Sequence, residues 1–180
     1  MKDALGTVQV PQGMLAEVSQ AALLDPVTGL SNRQYLETRL RAEVQRAERA
    51  SQPLAVMLVD VDNFKKVNDT LGHMEGDRVL RDIARLLSDH VRVFDVCTRF
   101  GGEEFAILMP GAEERVAIQV AERVRRAVDQ AYGDGRSGVP ITVSAGVALL
   151  DPGETGASLI GRADQALLRA KSEGKNVVRL

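Results

Sequence analysis

Two glycines between two β-prone apolar runs constrain the fold of this chain more than any other feature. Val93 to Phe100 leads into Gly101-Gly102, and Phe105 to Met109 leads out. A Gly-Gly pair in this setting is typical of a hairpin, because tight primed turns need positive φ angles at their central residues. We therefore expect a hairpin whose tip carries the carboxylates of Glu103 and Glu104. These acids either belong to a metal–phosphate site or simply solubilise an exposed turn.

The composition predicts one soluble globular domain. The chain has 180 residues, of which 44% are apolar, so it can bury a core. The net charge of −2 argues against a broad nucleic-acid-binding face and against a polybasic membrane anchor. The longest apolar run, Leu54 to Val59, is only strand-sized, and Met1 to Val10 lacks a signal-peptide pattern. We expect a cytoplasmic domain that contacts neither nucleic acid nor membrane.

Residues 1–24 are predicted to be an N-terminal tail and linker helix, and residues 25–180 the folded domain. The linker helix covers Met14 to Leu24, which has one apolar face, and we expect it to follow a signalling domain. Asp25-Pro26 ends this helix. Ser31 is expected to cap the next helix, which runs to about residue 50.

The remaining periodicity predicts an α+β fold. The predicted elements are a strand Leu54–Val61, helices Phe64–Asp69 and Glu75–His90, the hairpin, a helix Ala112–Gln130, a strand Ile141–Leu150, a helix Ala157–Ser172 and a strand Asn176–Leu180. Taken from the first of these strands, the order is that of the split βαβ, ferredoxin-like fold, a central antiparallel sheet flanked by helices.

This topology brings acids from two strands together. The first strand lies beside the central hairpin in a split βαβ sheet, so Asp60 is expected next to Glu103 and Glu104. Converging carboxylates make an oxygen-ligand site suited to Mg²⁺, and such a site can hold two ions around a phosphoryl group. Alone, Asp60-Val61-Asp62 would indicate turn acids that cap a helix. The acidic hairpin favours the metal site.

The residues after Asp60 have the chemistry to bind phosphate and a purine. A helix start near Phe64 and Lys65 offers free backbone N–H groups and a cation. Asn68 and Asp77 flank a glycine-bearing loop, and a carboxylate accepts well from the N1–H and N2 amino group of guanine. The alternative role for Asn68 and Asp77 is helix capping.

Several motifs extend along the chain from Asp25 onward. They are Asp25–Arg33, Asp60–Lys65 with Asn68-Asp69, Gly72–Asp77, Gly101–Phe105, Ser144–Ala148, Ala163–Leu167 and Ala170–Asn176. Together they resemble the GGDEF family, the diguanylate cyclases, with GGEEF at the signature turn. Val27 replaces the usual leucine of the first motif, and Leu168 replaces a usual tyrosine near the last. The resemblance implies the palm-like sheet of polymerases and nucleotide cyclases.

The resemblance also implies a role for each site residue. Asp60, Glu103 and the Val61 carbonyl would bind Mg²⁺, or Mn²⁺ in its place. Glu103, helped by Glu104, would deprotonate or orient an attacking 3′-hydroxyl, and Lys65 would stabilise charge on the phosphates. The substrate would contact Phe64, Asn68, Asp77, Lys175 and Arg179, of which Asn68 and Asp77 would bind guanine and the last two the terminal phosphates.

The implied reaction condenses two GTP molecules into cyclic di-GMP and releases two pyrophosphates. Each domain would hold one GTP, so catalysis would need a homodimer. A sensor or receiver domain is expected before the linker helix in the full-length protein.

A second motif, Arg92-Val93-Phe94-Asp95, has the R-x-x-D form and the spacing of the family's inhibitory site. Arginine can stack on guanine and bind phosphate, so the resemblance implies product inhibition here. A solvated surface ion pair is the alternative. Arg123, Arg125 or Arg126, from the same or a partner domain, would supply a second arginine, and the sequence does not choose among them.

Two other functions remain open at this point. A non-catalytic cyclic di-GMP receptor would use the Arg92 motif alone, but it would not require Asp60, Glu103, Asn68 and Asp77 together. A cyclase for another base is disfavoured because Asp77 would face the unprotonated N1 of adenine.

Overall fold

In the computed structural model, which describes residues 22–135 and 138–180, six strands form one sheet flanked by five helices. The elements are β1 (Ser31–Asn32), α1 (Arg33–Ala50), β2 (Leu54–Val61), α2 (Phe64–Leu71), α3 (His73–Asp89), β3 (Val96–Arg99), β4 (Glu104–Pro110), α4 (Glu114–Tyr132), β5 (Val143–Leu149), α5 (Gly156–Ser172) and β6 (Val178–Arg179). None of the helices in these ranges is long and apolar enough to cross a membrane.

The strand order is β1-β3-β4-β2-β5-β6. Within it, the inner strands β3, β4, β2 and β5 are antiparallel to one another, whereas the short outer strands β1 and β6 run parallel to β3 and β5. The four inner strands have the split βαβ, ferredoxin-like order. The predicted fold class is confirmed.

Strand β2 lies at the centre of the molecule and is buried at all eight positions. Its side chains alternate between the two faces of the sheet. Met57 and Val59 pack in a cluster with α2, α3 and α4, whereas Val56 and Leu58 pack with α1 and α5. Because both faces of β2 are covered, its carboxyl end is held firmly between two layers of helices.

Helix α5 lies very close to β5 because residue 146 is glycine. A Cβ atom at Gly146 would lie 2.1 Å from the carbonyl oxygen of Ala163 and 2.2 Å from the backbone nitrogen of Leu167. Any side chain there would therefore push the helix away from the sheet. The close approach positions the last turn of α5, which contains Lys171, near the end of β2.

The start of the domain differs from the sequence prediction. Asn32, rather than Ser31, caps α1, because its side chain accepts a hydrogen bond from the N–H of Tyr35 at 3.1 Å. Ser31 instead lies in β1, beside Thr98 of β3. The predicted helix Met14–Leu24 falls outside the described residues except for its last three.

The predicted hairpin forms, but its turn is not a primed one. Strand β3 ends at Arg99 and β4 begins at Glu104. Neither Gly101 nor Gly102 has a φ angle in the left-handed region, so the predicted turn type was wrong. The N–H groups of Phe100 and Gly101 both donate to the Glu104 carbonyl, at 2.8 and 3.1 Å. This shared acceptor allows a wider connection than a two-residue turn.

Candidate active site

The end of β2 meets the hairpin turn, as the topology predicts. Asp60 lies opposite Glu104 in the pairing of β2 with β4, and the N–H of Val61 donates to the Glu103 carbonyl at 3.2 Å. Asp60 is only 6% exposed, while Glu103 and Glu104 are half-buried. Carboxylates that are far apart in the sequence thus lie side by side at one end of the sheet.

Burial and neighbouring charge raise the pKa of two of these carboxyls. For Asp60, burial is the main cause and the charge of Asp62 adds to it, while Lys171 opposes both. For Glu103, burial again dominates, and the negative charges of Asp60 and Glu104 raise its pKa further. Adjacent acids that resist ionisation are stabilised by a cation placed between them.

Sequence reasoning missed Lys171, which supplies such a cation. Its ammonium nitrogen lies 2.8 Å from Oδ2 of Asp60. The residue belongs to the last turn of α5, and its motif, Ala170–Asn176, was recognised without a role for this lysine. Two lysines four positions apart, at 171 and 175, mark this segment as basic, but their spacing does not indicate that Lys171 contacts Asp60.

Asp62 has a different task from Asp60, although only one residue separates them. Its buried carboxylate accepts hydrogen bonds from Thr142 Oγ1 at 2.7 Å, Ser144 Oγ at 2.8 Å and the N–H of Asn176 at 3.1 Å. These bonds tie the end of β2 to β5 and to the segment before β6. Asp62 is therefore a structural anchor whose oxygens are already engaged.

The two cations predicted to bind terminal phosphates lie in different surroundings. Lys175 donates from Nζ to Oδ1 of Asn63 at 2.6 Å, directly before α2, and its charge, like that of Lys171, opposes the rise that burial causes in the pKa of Asp60. Arg179 donates from Nε to Oε2 of Glu173 at 2.6 Å. The structure thus brings Lys175 to the site and pairs Arg179 with another residue.

The start of α2 leaves backbone donors available. Asn63, the residue before the helix, makes no side-chain cap to it, because its carboxamide oxygen accepts from Lys175 instead. Uncapped N–H groups at a helix N-terminus attract phosphate. Phe64 and Lys65 occupy this first turn, with Phe64 buried and Lys65 exposed.

Asn68 and Asp77 lie on neighbouring helices around a glycine. A Cβ atom at Gly76 would lie 2.0 Å from Oδ1 of Asn68 and 3.2 Å from the ring of Phe64, so only glycine leaves room for the carboxamide. Neither Asn68 nor Asp77 caps a helix with its side chain, since Gly72 is both the C-cap of α2 and the N-cap of α3. The capping alternative is thereby disfavoured.

The Arg92 motif forms a turn of its own before β3. The N–H of Arg92 donates to Oδ2 of Asp95 at 2.8 Å, and the N–H of Asp95 donates to the Arg92 carbonyl at 3.0 Å. The predicted strand start at Val93 was therefore wrong, and β3 begins at Val96. Beside this turn, next to α1, lies a cavity of about 820 Å³ that Asp60 and the hairpin acids do not line.

Of the three candidate arginines, Arg123 faces this turn. Burial raises the pKa of Asp95, and the positive charge of Arg123 is among the influences that oppose the rise. Arg125 and Arg126 instead form ion pairs with Glu122. Of these three arginines, Arg123 is thus the one whose charge acts on the Arg92 turn, and its guanidinium donates to the His90 carbonyl at 3.1 Å.

Comparison with known proteins shows the family. The family model described as "Diguanylate cyclase, GGDEF domain" matches residues 22–177. The chain belongs to the GGDEF family. The match covers both the acidic hairpin and the Arg92 turn of this GGDEF domain.

Two curated relatives are similar over most of the GGDEF domain. The response regulator PleD of Caulobacter vibrioides is 40% identical over 163 residues, which cover 88% of this chain and 36% of PleD. Diguanylate cyclase DgcP of Pseudomonas aeruginosa is 43% identical over 164 residues, which cover 90% of this chain and 24% of DgcP. The chain thus spans well under half the length of these relatives.

Solved GGDEF structures have the same architecture. The coiled coil and GGDEF domain of DgcB from Caulobacter crescentus, in complex with c-di-GMP, matches with a TM-score of 0.88 at 33% identity, over 93% of this chain and 90% of that one. Diguanylate cyclase SiaD of Pseudomonas aeruginosa, in complex with its activator SiaC, matches with a TM-score of 0.81 at 42% identity, over 93% and 66%. The active GGEEF domain of a diguanylate cyclase from Vibrio cholerae matches with a TM-score of 0.76 at 36% identity, over 83% and 96%.

Proposed function

We propose that this GGDEF domain is a diguanylate cyclase, which condenses two GTP molecules into cyclic di-GMP and releases two pyrophosphates. The observation that carries the proposal is the position of Asp60 opposite Glu104, beside the uncapped start of α2. Acids next to free N–H donors suit a phosphate that binds with a metal ion. The name of DgcP and the complex of DgcB with c-di-GMP support the same reaction.

The residues at the end of β2 fit Mg²⁺, or Mn²⁺ in its place. Asp60 and Glu103 would supply carboxylate oxygens, and Val61, whose N–H donates to the Glu103 carbonyl, would add its own carbonyl oxygen. No group of three His, Cys, Asp or Glu side chains suited to a metal occurs in residues 22–135 and 138–180. Mg²⁺ commonly takes one or two carboxylates together with water and substrate phosphates, so two carboxylates suffice. When bound, the ion polarises the phosphoryl oxygens and acidifies the attacking hydroxyl.

Glu103 is the proposed proton acceptor. It receives the proton of the 3′-hydroxyl of one GTP, whose oxygen then attacks the α-phosphorus of the other, and the bond to pyrophosphate breaks. Burial, reinforced by Asp60, raises the pKa of Glu103 in the protein alone, and a positioned carboxylate of this kind can act as a general base. Glu104, beside it on the hairpin, helps to orient the hydroxyl.

Cations around the start of α2 stabilise the charge that develops on the phosphates. Lys65 lies in the first turn of this helix, and Lys175 is bonded to the residue before it. Lys171, on the other side of Asp60, adds a third positive charge. Arg179 reaches a phosphate only by releasing Glu173. Fixed positive charge of this kind acts mainly in the transition state.

The guanine base is proposed to bind between α2 and α3. Asp77 accepts from the N1–H and N2 amino group, and Asn68 contributes its carboxamide on the opposite side. Gly76 supports this position, because only a glycine there lets the carboxamide of Asn68 and the ring of Phe64 lie so close to the start of α3.

Catalysis is proposed to need a homodimer, because each domain holds one GTP and the reaction joins two. Two-fold symmetry would bring the two α-phosphates and 3′-hydroxyls together. We further propose that residues 25–180 are the catalytic domain and that residues 1–24 connect it to a sensor or receiver domain. The description of PleD as a response regulator supports this arrangement.

The Arg92 turn is proposed to bind the product and inhibit the enzyme. The exposed side chain of Arg92 can stack on guanine and bind phosphate, and Asp95 can accept from the guanine edge. Arg123, whose charge acts on Asp95, supplies the further arginine.

Turnover of GTP with Mg²⁺, followed by chromatography of the products, tests the cyclase. The expected result is cyclic di-GMP with two pyrophosphates per molecule, and a specific activity that rises with protein concentration as dimers form. A protein that binds cyclic di-GMP but makes none at any concentration would contradict the proposal and favour a receptor.

A further inference from the structure

We infer that Lys171 is an internal counter-cation for Asp60 whose charge opposes the binding of a divalent cation at the same carboxylate. The inference rests on the proposed function, since it concerns the proposed metal site. It adds that metal binding and nucleotide binding are coupled. Protein without nucleotide binds a divalent cation weakly, because Lys171 already neutralises Asp60 and repels the ion. The negative charge of a bound triphosphate offsets this repulsion.

The contact itself is short and partly sheltered. The ammonium of Lys171 lies 2.8 Å from Oδ2 of Asp60, and the two side chains are 33% and 9% exposed. An ion pair with a nearly buried carboxylate interacts more strongly than one in open water, because the effective dielectric constant is lower. A divalent cation that bound the same carboxylate would therefore lie close to the ammonium of Lys171 and be repelled by it.

The fold holds Lys171 at this position. The residue lies in the last turn of α5, where a positive charge is also favoured by the helix dipole. Gly146 allows α5 to approach β5 so closely that the helix backbone nearly touches the strand. Helix α5, rather than a loop, thus positions the ammonium beside Asp60.

Because of the surrounding charges, the repulsion between Lys171 and a divalent cation matters only in the state without nucleotide. Asp60 has acidic neighbours in Glu103, Glu104 and Asp62, and a basic one in Lys175. Lys171 offsets the repulsion among these acids, whereas Lys171 and a divalent ion together would place positive charges within a few ångströms of each other. A bound triphosphate supplies the extra negative charge that lets both cations remain.

Titration of the full chain with Mn²⁺ in the absence of nucleotide tests this inference. Lys171→Met removes the charge at similar side-chain length, and Lys66→Met, at an exposed position of α2, makes the same change in net charge. Free Mn²⁺ is measured by electron paramagnetic resonance. Lys171→Met is expected to bind Mn²⁺ about 5–150-fold more tightly than the wild type, the usual range of coupling between sites. Lys66→Met should match the wild type.

A second variant guards against a failure to fold. Lys171→Gln keeps a hydrogen-bond donor toward Asp60 without the charge, and it should also bind Mn²⁺ more tightly, with circular dichroism reporting the fold. For both variants, a non-hydrolysable GTP analogue with Mg²⁺ should bind more weakly than to the wild type.

Equal or weaker Mn²⁺ binding in both variants would overturn the inference, even if the wild type makes cyclic di-GMP. A wild type that makes no cyclic di-GMP would instead defeat the proposed function, whatever the Mn²⁺ titration gives. The two failures are therefore distinguishable.

Discussion

The two polar turns of this domain are built in opposite ways. The acidic turn, residues 100–104, contacts the end of β2. At that end of β2, Asp60 pairs with Lys171, which is distant from it in the sequence. The Arg92 turn, residues 92–95, closes on itself through two hydrogen bonds. The first turn depends on the whole fold for its chemistry, whereas the second needs only four residues and the nearby Arg123.

The acidic turn is also tied to the first residues of the domain. The guanidinium of Arg99 lies 3.1 Å from Oδ1 of Asp25 and donates to the Gly102 carbonyl at 2.7 Å. Both side chains of this ion pair are largely buried, at 15% and 16% exposed. Substitutions around the acidic turn should therefore affect stability as well as chemistry, and substitutions in the Arg92 turn should mainly affect ligand binding.

The largest expected difference between the two turns is in catalysis. Glu103→Gln should reduce the rate of cyclic di-GMP formation by about 10²–10⁴-fold, the usual contribution of a positioned acid–base group. Arg92→Ala should leave the initial rate unchanged and delay the slowing that product causes. Initial rates and full time courses of GTP turnover measure both effects.

An unchanged initial rate in Glu103→Gln would show that the acidic turn takes no part in catalysis. A loss of initial rate in Arg92→Ala would show that the two turns are not separable. Glu48→Gln, at an exposed position of α1, is the matched control for the change of charge.

The next effect concerns the packing that brings Lys171 to the acidic turn. Gly146→Ala should lower the free energy of unfolding by about 1–3 kcal/mol, because the added methyl group overlaps the backbone of α5. Gly161→Ala is the control within α5, since a Cβ atom there meets nothing within 4 Å. It should raise stability by about 0.5–1 kcal/mol through better helix propensity. Urea denaturation measures both, and equal stabilities would disprove the close packing.

The difference between the turns also explains what the sequence could predict. The strand order and the meeting of Asp60 with the hairpin follow from periodicity and topology, because each long element has a clear apolar face. The Asp60–Lys171 pair could not be predicted, since it depends on how closely α5 packs on β5. The start of β3 was also misjudged, because Val93 and Phe94 have β-forming side chains but lie in a turn held by Asp95.

Asp25, which pairs with Arg99 beside the acidic turn, and Asp95 of the Arg92 turn should respond to pH with opposite signs. Burial tends to raise the pKa of Asp25, but hydrogen bonds from Thr28 and the Arg99 ion pair lower it below 3.8. Asp25 thus contributes stability at neutral pH that is lost as the pH falls through its folded pKa. Burial raises the pKa of Asp95 above 3.8, so the folded state loses stability as the pH rises through that pKa.

Denaturation of two variants at pH 7 and pH 3 checks these signs. Asp25→Asn should be less stable than the wild type at pH 7, with a smaller difference at pH 3. Asp95→Asn should be slightly more stable at pH 7 and equal at pH 3, because asparagine can still accept from the N–H of Arg92. The same sign for both variants would contradict the opposite pKa shifts of Asp25 and Asp95.

The smallest effect is expected for the phenylalanine of the Arg92 turn. Phe94 is 81% exposed, so Phe94→Ser should change the free energy of unfolding by no more than about 0.5 kcal/mol. Phe100 of the acidic turn packs against the cluster between α1 and the sheet, and the guanidinium of Arg33 lies 4.6 Å from its ring centre. Phe100→Ser should therefore cost more stability in the same urea titration. Equal losses would mean that the Arg92 turn is held by packing as well, and that it is not the self-contained loop that its two hydrogen bonds indicate.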